Sequence, residues 1–199
     1  MTGPQQTLEF ADGVAGQSFA AAPCYASLPP VLDACCSSRM MWLDKTDDRT
    51  LFMDRRNEDY WLKPSAAYKN GKMLKVRPDV VADFTAMPFP DESFWHVVFD
   101  PPHIIRKAEL GDVTKAYGCL NGDWESMLAA GFRECFRVLK PNGTLIFKWC
   151  EVAIPLERIM ALTPEKPLYG HRSGAKAQTH WVAFLKHNDQ AERQEERRQ

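Results

Sequence analysis

Four short apolar segments in the first half of the chain each run into an aspartate. They are PVLDACC (Pro30–Cys36), RTLFMDRR (Arg49–Arg56), PDVVADF (Pro78–Phe84) and WHVVFDPP (Trp95–Pro102). Such runs are typical of parallel strands that are buried on both faces of a sheet. In sheets of this kind ligands bind beyond the carboxyl ends of the strands. We therefore expect the four acids to line one rim: Asp33, Asp54, Asp83 and Asp100.

The second half of the chain shows one strong helical pattern followed by further strands. From Asp123 to Gly143 an apolar stripe recurs at helical spacing, with Asp123 as the predicted N-cap. The segment Lys140–Gly143, with a proline and a glycine, is predicted to end this helix. Thr144–Cys150 is predicted as a fifth strand and Pro155–Leu162 as a short helix. The sixth and seventh strands are predicted at Lys166–Arg172 and Thr179–His187.

This alternation predicts a single α/β domain over residues 30–187. Residues 1–29 are predicted to form an N-terminal arm or loop, and residues 188–199 a charged, disordered tail. The polar segment Arg106–Asp123 is interpreted as a long mobile loop. Evidence for helices between the early strands is weak, because Ser38–Asp44 is short and Tyr60–Arg77 shows little periodicity.

Composition narrows the classes of function. The 199 residues are 45% hydrophobic and 26% charged, with a formal net charge of -1, so no global basic field favours nucleic acid, although a local patch is compatible. Residues 1–30 do not resemble a signal peptide, and no apolar run is long enough to span a membrane. The six cysteines form no C-x-x-C pair, which favours reduced thiols in a cytoplasmic protein without a metal. A monomer or homodimer is expected. A zinc site from Cys24, Cys35 and Cys36 is the alternative.

Several motifs occur in the order found in one enzyme family. They are VLDACCSS after Pro30, ADFTAMPFPDESF (Ala82–Phe94), ECFRVLKPNGTLIF (Glu134–Phe147) and DPPH (Asp100–His103). With these motifs, from about Val31 to His187, the chain resembles the class I S-adenosylmethionine (SAM) dependent methyltransferases. The DPPH motif resembles that of the members that methylate amino nitrogens, including exocyclic amines of nucleic-acid bases and glutamine amides. The resemblance implies a Rossmann-like, mostly parallel seven-stranded sheet with an antiparallel last strand and helices on both faces.

The resemblance also implies SAM as the cofactor and assigns residues to it. The first loop would contribute Asp33, Ala34, Cys35 and Ser37, with Asp33 helping to place the methionine ammonium group. Asp54 would accept the ribose hydroxyls, while Asp83 and Phe84 would hold the adenine. One departure is that this loop contains no glycine, which in the family permits positive φ angles and close approach to the cofactor. This departure motivates the alternative of a catalytically inactive binding module.

The DPPH segment suits the chemistry of a conjugated amine. Such an amine is a poor nucleophile and needs hydrogen-bond acceptors that draw its lone pair towards the methyl group. Asp100 could accept one N–H, and the carbonyl of Pro101 the other, since Pro101 and Pro102 fix the backbone. The ring of His103 would lie over a planar substrate. We therefore predict Asp100, Pro101, Pro102 and His103 as the catalytic residues.

The substrate-binding residues are predicted from position and charge. Lys148 and Trp149 end the fifth strand, and His171 and Arg172 belong to a basic segment, Gly170–His180, that contains no acid. The sequence thus predicts a methyltransferase acting on a nucleic-acid base amine, with adenine N6 favoured. RNA, single-stranded DNA or weakly specific DNA recognition is expected, because the chain offers no room for a separate target-recognition domain. Methylation of a protein amide or of a small molecule is the alternative within the same chemistry.

Overall fold

The computed structural model describes residues 28–65, 68–105, 114, 117–120, 122–173 and 178–187. The predicted N-terminal arm apart from residues 28–29, the charged tail, and most of the predicted loop at Arg106–Asp123 lie outside these residues. The strands are β1 (Val31–Asp33), β2 (Thr50–Asp54), β3 (Glu58–Leu62), β4 (Lys72–Val76), β5 (Val80–Val81), β6 (Phe94–Phe99), β7 (Leu139–Cys150), β8 (Tyr169–Ser173) and β9 (Thr179–Leu185). Two helices are described in full, α1 (Trp124–Val138) and α2 (Leu156–Met160).

Seven strands form one sheet in the order β5-β2-β1-β6-β7-β9-β8. The pairs among β5, β2, β1, β6 and β7 are parallel, whereas β9 runs antiparallel to both β7 and β8. This arrangement confirms the predicted Rossmann-like architecture with an antiparallel last strand. All seven predicted strands are present, although the third is reduced to the two residues of β5.

The order of the strands brings the predicted acids to one edge. Asp33 aligns with Phe52 on one side and with Val98 on the other, and Asp54 aligns with Val81. The chain order reverses direction between β1 and β6, so a crevice opens there beyond the carboxyl ends. The fold therefore places a crevice at the edge of the sheet where the sequence pattern predicts a ligand site.

Helix α1 covers the centre of the sheet. Asp123 caps it, accepting a hydrogen bond from the backbone N–H of Ser126. Its apolar stripe, including Leu128 and Phe132, packs with sheet residues such as Phe99 and Phe147 in one continuous core. The predicted turn at Lys140–Gly143 belongs to β7, which begins directly after the helix and has Asn142 at a φ of 62°.

The connections between the early strands differ from the prediction. Turns join β1 to β2 across residues 34–49, and turns also join β5 to β6 across residues 82–93. Neither connection contains a helix, so the helices flanking this half of the sheet that the fold class implies are not found there. The segment Tyr60–Arg77 is also not helical, because β3 and β4 pair there as an antiparallel hairpin. Within the described parts of the chain, no helix is long and apolar enough to cross a membrane.

Candidate functional site

A cleft of about 760 Å³, measured to include its open mouth, lies beyond the carboxyl ends of β1, β2 and β6. The cleft brings together most of the predicted cofactor and catalytic residues: Asp33, Ala34, Cys35, Ser37, Asp54, Phe84, Asp100, Pro101, Pro102 and His103, along with Lys148. Of the four predicted rim acids, Asp33, Asp54 and Asp100 line it.

Asp33 ends β1 and is almost completely buried, with 2% of its surface exposed. Its Oδ1 accepts a hydrogen bond from the backbone N–H of Cys35 at 3.1 Å, and its Oδ2 accepts one from Trp42 Nε1 at 2.6 Å. Burial raises the pKa of Asp33 from 3.8 to about 7, even though both hydrogen bonds act in the opposite direction. By accepting these hydrogen bonds, the buried carboxyl group of Asp33 stabilises the conformation of the first loop.

The first loop achieves its turn without glycine. Ser37 and Arg39 have φ angles of 46° and 55°, in the left-handed region that favours glycine. The backbone N–H of Ser37 donates to Asp54 Oδ2 at 2.9 Å, which links the loop to β2. Arg39 lies over the ring of Phe52, with 3.8 Å from its guanidinium carbon to the ring centroid. These contacts hold a conformation that costs roughly 1–3 kcal/mol for each non-glycine residue.

Asp54, the predicted ribose acid, is buried and fully engaged by neighbouring donors. The side chain of Arg56 donates from Nε to Oδ1 at 3.0 Å and from Nη2 to Oδ2 at 3.2 Å. The backbone N–H of Arg56 adds a third hydrogen bond, at 2.9 Å, and Ser37 supplies the fourth. A ribose that binds Asp54 must therefore replace at least part of the Arg56 guanidinium.

Of the two residues predicted to hold the adenine, Asp83 and Phe84, only Phe84 lines the cleft. Phe84 and its neighbour Ala82 line the cleft, and the Phe84 ring packs edge-on against Phe99 at 5.3 Å between centroids. Asp83 is not among the lining residues. Its Oδ1 accepts from the backbone N–H and the hydroxyl of Thr85, at 2.9 and 2.8 Å. Asp83 thus fixes the turn that presents Phe84.

Asp100 and Lys148 form an ion pair in the cleft. Parallel β6 and β7 are in register at Phe99 and Phe147, so the next residues along the two strands lie close together. Lys148 Nζ lies 2.6 Å from Asp100 Oδ2. Burial raises the pKa of Asp100, and the charge and hydrogen bond of Lys148 partly offset this rise. No described residue donates a hydrogen bond to Asp100 Oδ1.

The prolines and His103 continue the cleft wall. Pro101 is buried, and Gly118, at a φ of 76°, packs so closely that a Cβ there would lie 3.0 Å from Pro102 Cγ. The His103 ring lies 6.1 Å from the Tyr117 ring and 6.3 Å from the Trp149 ring, between centroids. Burial lowers the pKa of His103, so its imidazole is neutral near pH 7 and suits stacking on a flat ligand.

The four predicted substrate residues have different positions. Lys148 lines the cleft, but Trp149 is fully buried, and its Nε1 donates to the carbonyl of Ile154. The prediction that Trp149 faces the substrate is wrong for its side chain, because alternation along β7 turns it into the core. His171 and Arg172 are exposed on β8, outside the cleft, where His171 is in register with Trp181 and Trp181 with Lys148. His171 is therefore two strands away from Lys148.

The cysteines of the first loop are free thiols. Burial raises the pKa of both Cys35 and Cys36, which keeps them protonated and disfavours a role as nucleophiles. Cys24, the third member of the alternative zinc site, lies outside the described residues. Within those residues no group of three or more metal-ligating side chains is found.

Several cleft residues were not predicted from the sequence: Met40, Met41, Arg55, Arg56, Tyr117 and Gly118. Arg56 had a detectable signal, since it follows the predicted ribose acid by two residues, a spacing at which a side chain can return to the carboxylate. Tyr117 had none, because its approach to His103 depends on tertiary folding. The sequence therefore predicted many of the residues that line the cleft, but not all of them.

Comparison with known proteins supports the fold. No family model matches the chain, and no curated protein matches it. Among solved structures, the PH0226 protein of Pyrococcus horikoshii matches with a TM-score of 0.51 and 14% identity, over 78% of this chain and 81% of that one. A SAM-dependent methyltransferase of Methanosarcina mazei matches with a TM-score of 0.48 and 12% identity, over 79% and 92%.

A third structure is 1,6-didemethyltoxoflavin-N1-methyltransferase of Burkholderia thailandensis with bound S-adenosylhomocysteine. It matches with a TM-score of 0.45 and 13% identity, over 79% of this chain and 71% of that one. Identities this low bear on the fold alone. The chain therefore has a Rossmann-like fold, which it shares with the PH0226 protein.

Proposed function

We propose that this protein is a SAM-dependent N-methyltransferase that acts on an exocyclic amine of a nucleic-acid base, with adenine N6 as the favoured target. One observation carries the proposal. The Asp100 carboxylate and the Pro101–His103 backbone line the same cleft as the first loop and Asp54. A methyl donor and a planar amine can therefore meet in one enclosed space.

The residues around the first loop fit the cofactor. Asp54 offers two carboxylate oxygens for two ribose hydroxyls once Arg56 yields, and Phe84 offers a ring edge for the adenine. Asp33 lies beneath the loop, where its negative charge favours the cationic end of the methionine moiety. When bound, SAM supplies a methyl group on a cationic sulfur.

The Asp100 side of the cleft fits the amine. Lys148 fixes Oδ2 of Asp100, so Oδ1 remains for one amine N–H. The carbonyl of Pro101 is assigned to the second N–H, and the neutral His103 ring to stacking on the base. Acceptors held in place before the reaction stabilise positive charge as it develops on nitrogen.

The proposed methyl transfer is a single displacement. The amine nitrogen forms a bond to the methyl carbon, while the carbon–sulfur bond breaks and its electron pair stays on sulfur. The methylated nitrogen is then acidic and loses a proton, for which the Asp100 carboxylate is the nearest acceptor. No metal or nucleophilic cysteine takes part in these steps.

An unpaired base is the favoured form of the substrate. Extruding a base from a duplex costs a few kcal/mol, which a single-stranded or looped target avoids. Between β2 and β5, where all residues except 66–67 are described, the only additional element is the short β3–β4 hairpin. An element of this size favours limited sequence recognition.

The test is mass spectrometry of nucleosides after incubation of RNA and single-stranded DNA with the protein and methyl-labelled SAM. We expect label in N6-methyladenosine or its deoxy form. Label in protein alone would instead support the amide alternative and would overturn the nucleic-acid proposal. Asp91→Ala, which changes an exposed acid far from the cleft, is the matched control for a variant of Asp100.

One observation favours a second candidate function, a catalytically inactive binding module. The Arg56 guanidinium covers both oxygens of Asp54, and the first loop has no glycine. If Arg56 does not yield, the ribose loses its main partner. Calorimetric titration distinguishes the two, since the module would bind neither SAM nor S-adenosylhomocysteine.

A further inference from the structure

The β3–β4 hairpin exposes a large apolar pair to solvent. Trp61 and Met73 are directly paired across the two strands and are 52% and 47% exposed. Alternation along the strands places Asp59 and Lys75, which are also paired, on the same face. The opposite face of the hairpin is buried through Leu62, Leu74 and Val76. We name the exposed set of Asp59, Trp61, Met73 and Lys75 the hairpin face.

The position of the Trp61 ring is built into the hairpin. Gly71 has a φ of 73°, and a Cβ at this residue would lie 2.5 Å from Trp61 Cζ2 and 2.9 Å from the carbonyl oxygen of Leu62. Only glycine leaves room for the indole to lie against the backbone here. An exposed aromatic ring that is held in place loses little conformational entropy when a flat ligand stacks on it.

Charge on the hairpin is of one predominant sign. Residues 57–77 contain five basic and two acidic side chains, in a chain whose net charge is -1. One of the acids, Asp59, already pairs with Arg77 at 2.8 Å. Lys69, Lys72 and Lys75 are all exposed. The surroundings of Trp61 are therefore suited to an anionic partner.

The hairpin is joined to the cleft at both ends. It begins two residues after Arg56, which lines the cleft. At its far end Arg39, which lies in the chain between the cleft residues Ser37 and Met40, donates to the carbonyl of Arg77 at 2.9 Å and to Asp79 at 2.8 Å. A strand of nucleic acid that occupies the cleft with one base can therefore continue along the hairpin.

We propose that the hairpin face is a docking surface for single-stranded nucleic acid, with one base stacked on Trp61 and phosphates near the surrounding lysines. This inference rests on the proposed function, because it supplies the flanking contacts for a base held in the cleft. Stacking platforms combined with basic side chains are the general means by which proteins bind single strands. A protein partner and a second copy of this chain are the competing occupants.

The experiment measures binding of fluorescein-labelled single-stranded RNA and DNA of about 12 nucleotides by anisotropy. We expect Trp61→Ala to weaken binding by about 5- to 150-fold, the range measured for loss of one stacked base. Trp95→Ala is the matched control, because Trp95 is 54% exposed and also has a lysine, Lys140, 4.8 Å from its ring centroid. Trp95 lies near the amino end of β6, away from the cleft, so its variant should bind within about twofold of the native chain.

The contribution of the lysines is measured separately, by the salt dependence of binding. The variant Lys69→Gln/Lys75→Gln should reduce the slope of log affinity against log salt by about 0.7 for each phosphate that the protein no longer neutralises. Lys140→Gln should leave that slope unchanged. Thermal unfolding checks that each variant is folded, and Trp61→Ala and Trp95→Ala form a matched pair because the two side chains are exposed to almost the same extent.

Equal affinity of the Trp61→Ala and Trp95→Ala variants would overturn the inference, as would the absence of any binding by the native protein. Self-association that disappears only in Trp61→Ala would assign the face to a second copy and overturn it too. Binding through Trp61 without methyl transfer would leave the inference standing and count against the proposed function. If Trp61→Ala transfers the methyl group with a normal KM for the oligonucleotide, the proposed function stands and the inference is overturned.

Discussion

The carboxylates in the two halves of the cleft differ in how many of their oxygens accept hydrogen bonds. In the cofactor half, Asp33 and Asp54 are buried, and every one of their oxygens accepts a hydrogen bond from a neighbouring residue. In the transfer half, Asp100 has one oxygen paired with Lys148, and no described residue donates to the other. The partners of the first two acids include backbone N–H groups as well as side chains, whereas among the described residues Asp100 accepts a hydrogen bond only from the side chain of Lys148.

This difference separates two roles. Under the proposed function, carboxylates whose oxygens already accept hydrogen bonds would organise the loop on which SAM rests, and Asp54 would bind SAM by exchanging one set of donors for another. A carboxylate with a vacant acceptor position is available to a substrate that arrives later. We infer that changes in the cofactor half alter cofactor affinity and stability, whereas changes in the transfer half alter the rate of transfer.

The largest effect is expected from Asp100→Ala. Loss of the preorganised acceptor should lower the rate of methyl transfer by about 10²- to 10³-fold, comparable to loss of one oxyanion-hole donor. Radiolabel transfer at saturating SAM measures this rate, with Asp91→Ala as the control. Transfer that persists in Asp100→Ala at near-native rates would remove Asp100 from the mechanism.

The next effect concerns the Lys148 ion pair. Lys148 lowers the pKa of Asp100 against the effect of burial, so Lys148→Met should raise that pKa further. Transfer requires the carboxylate and is lost as the pH falls through this pKa, so the acid limb of the kcat/KM profile should move to higher pH. Lys148→Arg preserves the charge and should keep the native limb. A profile unmoved by Lys148→Met would show that the pair has no such role.

A smaller effect is expected from the buried carboxyl of Asp33. Its pKa in the folded protein is raised to about 7 from 3.8, so between about pH 4 and 7 the folded state binds more protons than the unfolded state. The free energy of unfolding should then decrease as the pH rises through this window, by up to about 1.4 kcal/mol per pH unit. Urea unfolding at several pH values measures the slope, to which Asp33→Asn should remove the contribution of Asp33, whereas Asp91→Asn should leave the slope unchanged.

The smallest effect is expected at Ser37. Its positive φ is strained for serine, so Ser37→Gly should raise the free energy of unfolding by about 0.5–1 kcal/mol, after the entropy cost of glycine. Ser38→Gly, at a neighbouring position without a positive φ, should lower it instead. Urea unfolding distinguishes the two variants, and destabilisation by Ser37→Gly would mean that the loop stores no strain there.

The strands and their acids could be predicted from the sequence for a physical reason. Strands buried on both faces must be apolar throughout, and a polar residue marks the point where the chain leaves the sheet, as at Asp33, Asp54 and Asp100. The helix α1 was equally visible, because its single buried stripe follows the helical period. These features are local, so a single sequence contains them.

The remaining features depend on contacts between distant residues. The ion pair of Asp100 and Lys148 requires the register of β6 and β7, which neither segment encodes by itself. The hairpin was missed because Trp61 and Met73 are apolar residues on its exposed face, which disrupts the alternation that identifies a strand. Local rules fail most often at functional positions, and this agrees with the role that we assign to the hairpin.

The division of roles within the cleft is tested most directly by calorimetric titration of SAM into three proteins: the native chain, Asp54→Asn and Asp100→Ala. Loss of charged hydrogen bonds at Asp54 should weaken binding by about 10- to 150-fold. Asp100→Ala should bind SAM within about threefold of the native protein. Binding that is lost in Asp100→Ala but retained in Asp54→Asn would contradict the account.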